Sequence, residues 1–156
     1  MRKSPFVILI LLIAVACSVP SEQSLFKSMD ADGWLYSDTV SMNINNADSA
    51  RTMLHGDIAL AVRHTDAYEY SNLWVELSYL DSDSLRRDTF DLRLADEFGR
   101  WLGTGVGVGF QKVDTLLRGV SVDARVPLRV RHVMRPDTLA DIEQIGIIFS
   151  PSLSRQ

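Results

Sequence analysis

Three histidines are the side chains of this 156-residue chain best suited to acid–base or metal chemistry. His55, His64 and His132 form no His-Glu-x-x-His pattern, and no two are four residues apart, so they lack the spacing with which a helix presents two ligands to zinc. His64 and His132 each follow an arginine in a segment with strand-like alternation. We therefore expect surface or half-buried imidazoles, and a metal site only if the fold brings the three together.

Other patterns for catalysis are missing from the sequence. There is no Gly-x-Ser-x-Gly nucleophile elbow. The acidic pairs Asp81/Asp83 and Asp96/Glu97 lie in turn-like segments without the calcium-loop pattern, and nothing selects two carboxylates facing each other across a cleft, as a glycosidase requires. We predict that the protein is not an enzyme, and an envelope hydrolase has no support in the sequence.

A run of alternating glycines suggests close packing rather than phosphate binding. Gly103, Gly105, Gly107 and Gly109 do not match the Gly-x-Gly-x-x-Gly or Gly-Lys-Ser/Thr phosphate loops. As one strand, the run would place all four glycines on one face and admit a bulky ring, for which Trp101 is the nearest candidate. A flexible glycine-rich loop is equally consistent with the pattern.

The single cysteine, Cys17, lies at the end of a secretion signal. Two basic residues precede an apolar run over residues 6–15, which is too short to span a bilayer and is typical of a signal peptide. The sequence Ala14-Val15-Ala16-Cys17 resembles the lipobox of bacterial lipoproteins, although Leu is commoner at the position of Ala14. The resemblance implies that Cys17 is lipidated and becomes the mature N-terminus, anchored by its acyl chains.

This signal divides the chain into an expected signal peptide (1–16), a lipidated Cys17 with a flexible tether (17–30), and a folded domain (31–152). The whole chain has a net charge of −4, and loss of the two basic residues of the signal makes it about −6, which argues against a nucleic-acid partner. Residues 18–24, directly after the cysteine, hold one acidic residue, so we expect a periplasm-facing anchor rather than surface export.

Alternating apolar residues over 58–63, 73–79, 90–94 and 126–131 predict half-buried strands of an antiparallel sheet. Residues 34–44 are the predicted first strand, and 145–149 are apolar enough for a strand buried on both faces. Asp81–Ser84 reads as a hairpin loop, and Pro127 requires an edge, a bulge or a strand start. Only 49–53 and 137–144 suggest a helical turn. We predict one antiparallel β-sandwich, immunoglobulin-like or jelly-roll-like, with one or two short helical turns at most.

Three motifs occur in order along the predicted domain: Arg63-His64-x3-Tyr68-x-Tyr70-x-Asn72-Leu73-Trp74, Leu94-Ala95-Asp96-x2-Gly99-x-Trp101-Leu102-Gly103-x-Gly105, and Met134-Arg135-x3-Leu139-x2-Ile142-x2-Ile145-Gly146. Behind a lipobox, this order resembles the gliding-motility lipoprotein family GldH of Bacteroidetes. The resemblance implies an envelope lipoprotein associated with the gliding machinery and functionally linked to type IX secretion. It implies no catalytic residue and no cofactor.

The motif residues are our candidates for contacting a partner or for defining the fold: Arg63, Tyr68, Tyr70, Asn72, Trp74, Asp96, Gly99, Trp101, Gly103 and Arg135. The leading hypothesis is a non-enzymatic accessory lipoprotein that is lipid-anchored in the outer membrane and faces the periplasm. Its expected partners are the membrane, through the N-terminal lipid, and other gliding or envelope proteins, with no small-molecule substrate. The alternative is a lipid-anchored module that binds glycan or peptide through exposed aromatic residues, although core packing is the default role of Trp in a sandwich.

Overall fold

A computed structural model describes residues 21–46 and 52–152, and the lipobox with Cys17 lies outside this range. Within it the regular structure is entirely β, with these strands: β1 (Gln23–Ser28), β2 (Trp34–Leu35), β3 (Val40–Met42), β4 (Met53–Thr65), β5 (Asn72–Asp81), β6 (Ser84–Arg93), β7 (Thr104–Val106), β8 (Gly109–Asp123), β9 (Leu128–His132), β10 (Thr138–Leu139) and β11 (Ile142–Pro151). This confirms the predicted all-β class.

The strands form two antiparallel sheets that enclose a common apolar core, which confirms the predicted sandwich. The five-stranded sheet has the order β1-β11-β4-β8-β7, and the four-stranded sheet has the order β3-β9-β5-β6. β2 and β10 pair separately. The core takes Ile58 and Leu60 from one sheet and Leu73, Val75 and Leu77 from the other, all at most 1 % exposed. These are the inward positions that the alternation predicted.

β11 is the strand that we expected to be buried on both faces, and its position explains its composition. It lies between β1 and β4, with Ile145, Ile147 and Phe149 fully buried in the core. On its other face, a Cβ added to Gly146 would overlap the ring of Phe26 in β1. The Phe26 ring therefore lies against the backbone of β11 at Gly146, where a side chain would clash with the ring.

The start of the domain differs from the expectation. Residues 23–28 pair with β11 along their whole length, so the flexible tether cannot extend to residue 30. The single strand expected over 34–44 is two short strands, β2 and β3, separated by a turn in which Asp38 N–H donates to the carbonyl oxygen of Leu35. Apolar residues at both ends of that segment are buried in the core. The sequence pattern is therefore the same for one long strand as for two short ones.

The two helical turns that we expected are not borne out in the described residues. Residues 137–144 form β10, a turn and the start of β11, because Asp141 takes a left-handed conformation (φ 65°) that ends β10 and reverses the chain. Met53, the last residue of the other segment, begins β4, and residues 49–51 lie outside the described range. Leu139 and Ile142, the apolar pair at i, i+3 spacing, are both buried, but Leu139 lies in β10 and Ile142 in β11 rather than on one helix.

Two hairpins set the register of the sheets. Asp81 pairs with Ser84 across a two-residue turn, as predicted, with Ser82 at φ 55°. The glycine run is also a hairpin, in which β7 and β8 meet at Gly107 (φ 65°) and Val108. It is neither one strand with four glycines on a face nor a flexible loop, because the positive φ of Gly107 suits the first position of a tight β-turn. Pro127 directly precedes β9, at the predicted strand start.

Candidate functional site

A cluster of aromatic rings closes one end of the sandwich, where β4 ends and the chain crosses towards β5. His64 is fully buried at its centre, with ring centroids 4.5 Å from Trp101, 5.6 Å from Tyr68 and 5.9 Å from Phe110. Tyr70 extends the cluster, with its ring 5.6 Å from that of Tyr68. We call these five residues the His64 cluster. The first two motifs thus meet in space, because β4, β8 and the segment around residue 101 converge here.

The surroundings of His64 favour a neutral ring. Its Nδ1 donates to the carbonyl oxygen of Thr65 (2.8 Å), and no hydrogen-bond partner for Nε2 exists among the described residues. Burial lowers the pKa of His64 from its ordinary value, an effect only partly opposed by the bond to Thr65 and the charge of Glu143. A neutral, enclosed imidazole packs as a ring and does not exchange protons with a substrate.

The expectation of surface or half-buried histidines was wrong for two of the three. His132 is fully buried too, edge-on to the rings of Trp34 and Tyr36, and desolvation lowers its pKa. His55 lies exposed near the other end of β4, about 30 Å along the strand from His64 at about 3.3 Å per residue. In the part of the chain that the structure describes, no group of His, Cys, Asp or Glu could hold a metal ion.

Asp96 and Gly99 build a tight loop at the same end of the molecule. The Asp96 carboxylate accepts the N–H groups of Phe98 and Arg100 (both 2.9 Å) and the Nε–H of Arg100 (2.7 Å). The backbone bond from Arg100 is the main reason that the pKa of Asp96 is lowered. Gly99 takes φ 77°, and Phe98 at the loop tip is 75 % exposed beneath the Arg100 guanidinium. Asp96 therefore serves the loop rather than a substrate.

Trp101 and Gly103 attach this loop to the sheet. Trp101 forms a bridge with Ala95 and places its ring against His64. Gly103 takes φ 90°, and a Cβ there would overlap the carbonyl group of Gln111 in β8. Gly103 lets β7 approach β8, and Trp101 packs against His64, so the role of both residues in the structure is to define the fold. Trp101 packs against His64 and Phe110 and does not cover a glycine face, contrary to our expectation.

The exposed motif residues line an open groove of about 510 Å³ on the outer face of the four-stranded sheet. We call it the Trp74 groove, and its lining residues are Tyr70, Asn72, Trp74, Val133, Met134, Arg135 and Pro136. Trp74 is 41 % exposed, and its N–H donates to the sulfur of Met134 (3.3 Å). The first and third motifs meet here because β9 lies beside β5 and the chain leaving β9 passes Trp74.

Asn72 links this groove to Asp91 of β6 and to Tyr68 of the His64 cluster. Its side-chain amide donates to the carboxylate of Asp91 (2.6 Å), and its backbone carbonyl accepts the hydroxyl of Tyr68 (3.1 Å). Burial is the main reason that the pKa of Tyr68 is raised. The hydroxyl of Tyr68 is therefore a buried donor that holds the start of β5, and the Asp91 carboxylate already has an amide partner.

Arg63 is the candidate residue that belongs neither to the Trp74 groove, nor to the His64 cluster, nor to the Asp96 loop. Its Nε donates to Glu143 (2.8 Å) on the five-stranded sheet, and both side chains are more than a third exposed. Exposed ion pairs contribute little to stability. Arg63 is therefore a surface residue away from the site.

Sequence reasoning missed three residues that matter to this surface. Met134 was part of a motif but not a candidate, and Phe98 lay between two candidates. Asp91 faces Trp74 across the β5–β6 hairpin. This pairing follows from the predicted turn, since pairing Asp81 with Ser84 places residue 91 opposite residue 74.

The comparisons with known proteins concern nearly the whole sandwich. A family model described as GldH lipoprotein matches residues 23–148, from the first residue of β1 almost to the end of the core positions of β11. No curated protein matches the chain. Among the described residues, no helix has the length and apolar character needed to cross a membrane.

Proposed function

Because the chain belongs to the GldH lipoprotein family, we propose that it is a non-enzymatic accessory lipoprotein of the gliding machinery or an associated envelope complex. Membership of a lipoprotein family implies anchoring by lipid, and Cys17 is the residue we assign to it. The proposed location is the outer membrane, with the domain facing the periplasm. The proposed contact for a protein partner is the Trp74 groove.

The observation that carries the contact is the exposure of Trp74 beside Met134. An exposed tryptophan on the outer sheet face, flanked by a flexible thioether and by Tyr70 and Pro136, is the composition typical of protein-binding hot spots. Its neighbours in the first motif are accounted for by packing, since Leu73 and Tyr68 are buried. Trp74 has no such role, because its ring lies outside the core.

The path of the chain supports a contact directed away from the membrane. β1 begins at Gln23, six residues after Cys17, and Gln23 pairs with Phe149, which in turn pairs with Ile58. Trp74 lies instead near the end of the sandwich that holds His64. Six residues of β4 separate Ile58 from His64, or about 20 Å. A short tether therefore leaves the Trp74 groove open to a partner protein.

The test is capture of partners from native membranes by crosslinking to the tagged lipoprotein. We expect Trp74→Ala to lose the captured envelope protein while the variant folds normally. The matched control is Leu85→Ala. Leu85 is an apolar residue of the same sheet that is 55 % exposed, and it lies beside the β5–β6 turn, at the opposite end of β5 from Trp74. Equal capture by Trp74→Ala and the wild type would reject the groove as the contact.

The anchor requires a separate test. We expect Cys17→Ser to block lipidation and to release the protein from membranes or leave it as unprocessed precursor. Retention of a processed, unacylated chain in the membrane fraction would overturn the assignment of Cys17. This outcome is independent of the groove, because it concerns the lipid alone.

A glycan-binding module is the second candidate, and the exposed indole of Trp74 is the observation in its favour. Two of the three tryptophans do not support it, since Trp34 is fully buried and Trp101 packs against His64. Binding of envelope glycans to the wild type, lost in Trp74→Ala, would favour this function over a protein partner.

A further inference from the structure

The arginines of the described residues divide into two groups by their partners. Six form an ion pair with a carboxylate: Arg63, Arg86, Arg100, Arg118, Arg125 and Arg131. Four form none within the described residues: Arg87, Arg93, Arg129 and Arg135. All four of these side chains are exposed, and we call them the free arginines because none has a carboxylate partner, although Arg93 Nε donates to the carbonyl oxygen of Ala95 (3.0 Å).

The free arginines lie on one surface. Arg87 of β6 and Arg129 of β9 both pair with Ser78 of β5, one on each side, so their side chains project from the same outer face as Ser78. Arg93 pairs with Asn72 at the other end of β5, and Arg135 lines the Trp74 groove. The free arginines thus flank Trp74 at both ends of the outer face.

This distribution runs against the charge of the protein. The chain has a net charge of −4, yet the described guanidinium groups that lack an ion pair collect on one sheet face. The carboxylates of that face are already engaged, with Asp91 bonded to Asn72 and Glu76 bonded to Arg131. Among the described residues the face thus carries five guanidinium groups, those of Arg131 and the four free arginines, against these two carboxylates, so its net charge is positive.

The bond between Arg131 and Glu76 shows how this face holds a carboxylate. The Nε and Nη2 groups of Arg131 donate to the two oxygens of Glu76 at 3.0 and 3.2 Å, a bidentate pair. This bond is the main reason that the pKa of Glu76 is lowered, and the charge of Arg87 adds to it. Arg87 and Arg129 stand one residue pair further along the sheet and share a pocket with Glu76, whose carboxylate is already held by Arg131.

We propose that the outer face of the four-stranded sheet binds an extended acidic segment of the partner protein. Six residues of β5, or about 20 Å, separate Ser78 from Asn72, which matches about six residues of extended chain. Acidic side chains of the segment pair with Arg87, Arg129 and Arg135, and an apolar side chain enters the Trp74 groove. Arg93 is not used, because it shares a pocket with the carboxylates of Asp91, Asp96 and Glu97. The inference rests on the proposed function, since it specifies the chemistry of the partner at the same surface.

The direct test uses a fluorescein-labelled peptide, Glu-Glu-Glu-Leu-Glu-Glu-Glu, with the full chain purified from membranes in a neutral detergent. We expect the double variant Arg87→Gln/Arg129→Gln to weaken binding about tenfold, measured by fluorescence anisotropy. The matched control is Arg86→Gln/Arg118→Gln, which removes the same charge from ion-paired arginines and is expected to change binding less than about twofold. Equal weakening by both double variants, or no weakening by either, would overturn the proposal.

A second arm distinguishes a protein segment from other anions. We expect inorganic phosphate and vesicles of anionic phospholipid to compete with the peptide only weakly at matched charge. Competition as strong as that of the unlabelled peptide would assign the face to phosphate groups and reject an acidic protein segment.

Capture from native membranes separates failure of this inference from failure of the proposed function. If Trp74→Ala loses the partner and Arg87→Gln/Arg129→Gln keeps it, the Trp74 groove is supported as the contact and the binding of an acidic segment is rejected. If both variants keep the partner, the proposed contact itself is rejected. Loss of the partner in both variants, with capture intact in Arg86→Gln/Arg118→Gln, supports both proposals.

Discussion

The His64 cluster and the Trp74 groove draw on the same sequence motif but occupy opposite environments. In the first motif, His64 and Tyr68 are buried among rings, whereas Trp74 is 41 % exposed. Strand alternation produces the difference, because Leu73 faces the core and its neighbours Asn72 and Trp74 face outward. The comparison shows that one run of recognisable residues combines packing with a surface available for binding.

The two regions are joined rather than independent. Tyr70 contacts the ring of Tyr68 in the His64 cluster and also lines the Trp74 groove. Asn72 accepts the hydroxyl of Tyr68 through its backbone and presents its side chain to the groove. The cluster therefore positions the first residues of the outer face. Variants in the cluster should lower stability, and variants in the groove should alter binding alone.

The largest effect is expected for Trp101→Ala. Removing the indole that packs on His64 and Phe110 should lower the free energy of unfolding by about 3 kcal/mol, since large-to-small changes of aromatic residues leave cavities. Urea denaturation measures this change. Phe98→Ala, in the same loop but 75 % exposed, is the control and should alter stability by less than about 0.5 kcal/mol. Similar losses in both variants would contradict the division between cluster and surface.

The next effect is a loss of stability in acid. The pKa values of His64 and His132 are lowered in the folded state, so below the unfolded value of 6.5 the unfolded chain binds more protons. The stabilisation is complete above pH 6.5 and falls as the pH drops towards the folded pKa values, by up to about 1.4 kcal/mol per pH unit for each histidine. Urea denaturation between pH 5 and 8 measures the slope.

His64→Gln is the variant that assigns this acid sensitivity. It should reduce the slope of stability against pH while leaving the contribution of His132. His55→Gln provides the matched control, because it makes the same change at an exposed histidine and leaves the ring cluster intact. An unchanged slope in His64→Gln would mean that the ring cluster is not the source.

A smaller effect is expected for Tyr68→Phe. The change removes the hydroxyl that donates to the carbonyl oxygen of Asn72 and should cost about 1 kcal/mol of unfolding free energy. Tyr70→Phe is the matched control, because its hydroxyl makes no hydrogen bond with another described residue. Thermal or urea unfolding of the two variants measures the difference, and equal stabilities would show that the bond to Asn72 contributes nothing net.

Much of the sandwich follows from the sequence because its strands alternate cleanly. Leu73 to Tyr79 and Ile58 to Val62 place every second side chain in the core, as the pattern predicted. The Asp81–Ser84 turn then fixes the pairing of β5 with β6. Alternation fails for β1, where Leu25 and Phe26 are both about 40 % exposed on an edge strand, so nothing in the pattern separated it from a tether.

The candidate site could be predicted only in part. The motif residues were identified, but which of them are buried depends on contacts between strands distant in sequence. His64 was expected to be at most half-buried, because it follows an arginine in a strand-like segment and no motif gives it a partner. Its burial requires the rings of Trp101 and Phe110 from elsewhere in the chain. The free arginines likewise become one group only when β6 and β9 are placed on either side of β5.

The smallest effect on stability is expected for Trp74→Ala, and it is the sharpest test of the comparison. Trp74 lies outside the core, so its removal should change the free energy of unfolding by less than about 1 kcal/mol. Because the backbone N–H of Trp74 is the donor to Met134, that contact survives the change. A normal unfolding curve together with lost capture would show that the exposed half of the motif serves binding. A loss of stability near that of Trp101→Ala would instead make the groove part of the fold and remove the distinction between the two regions.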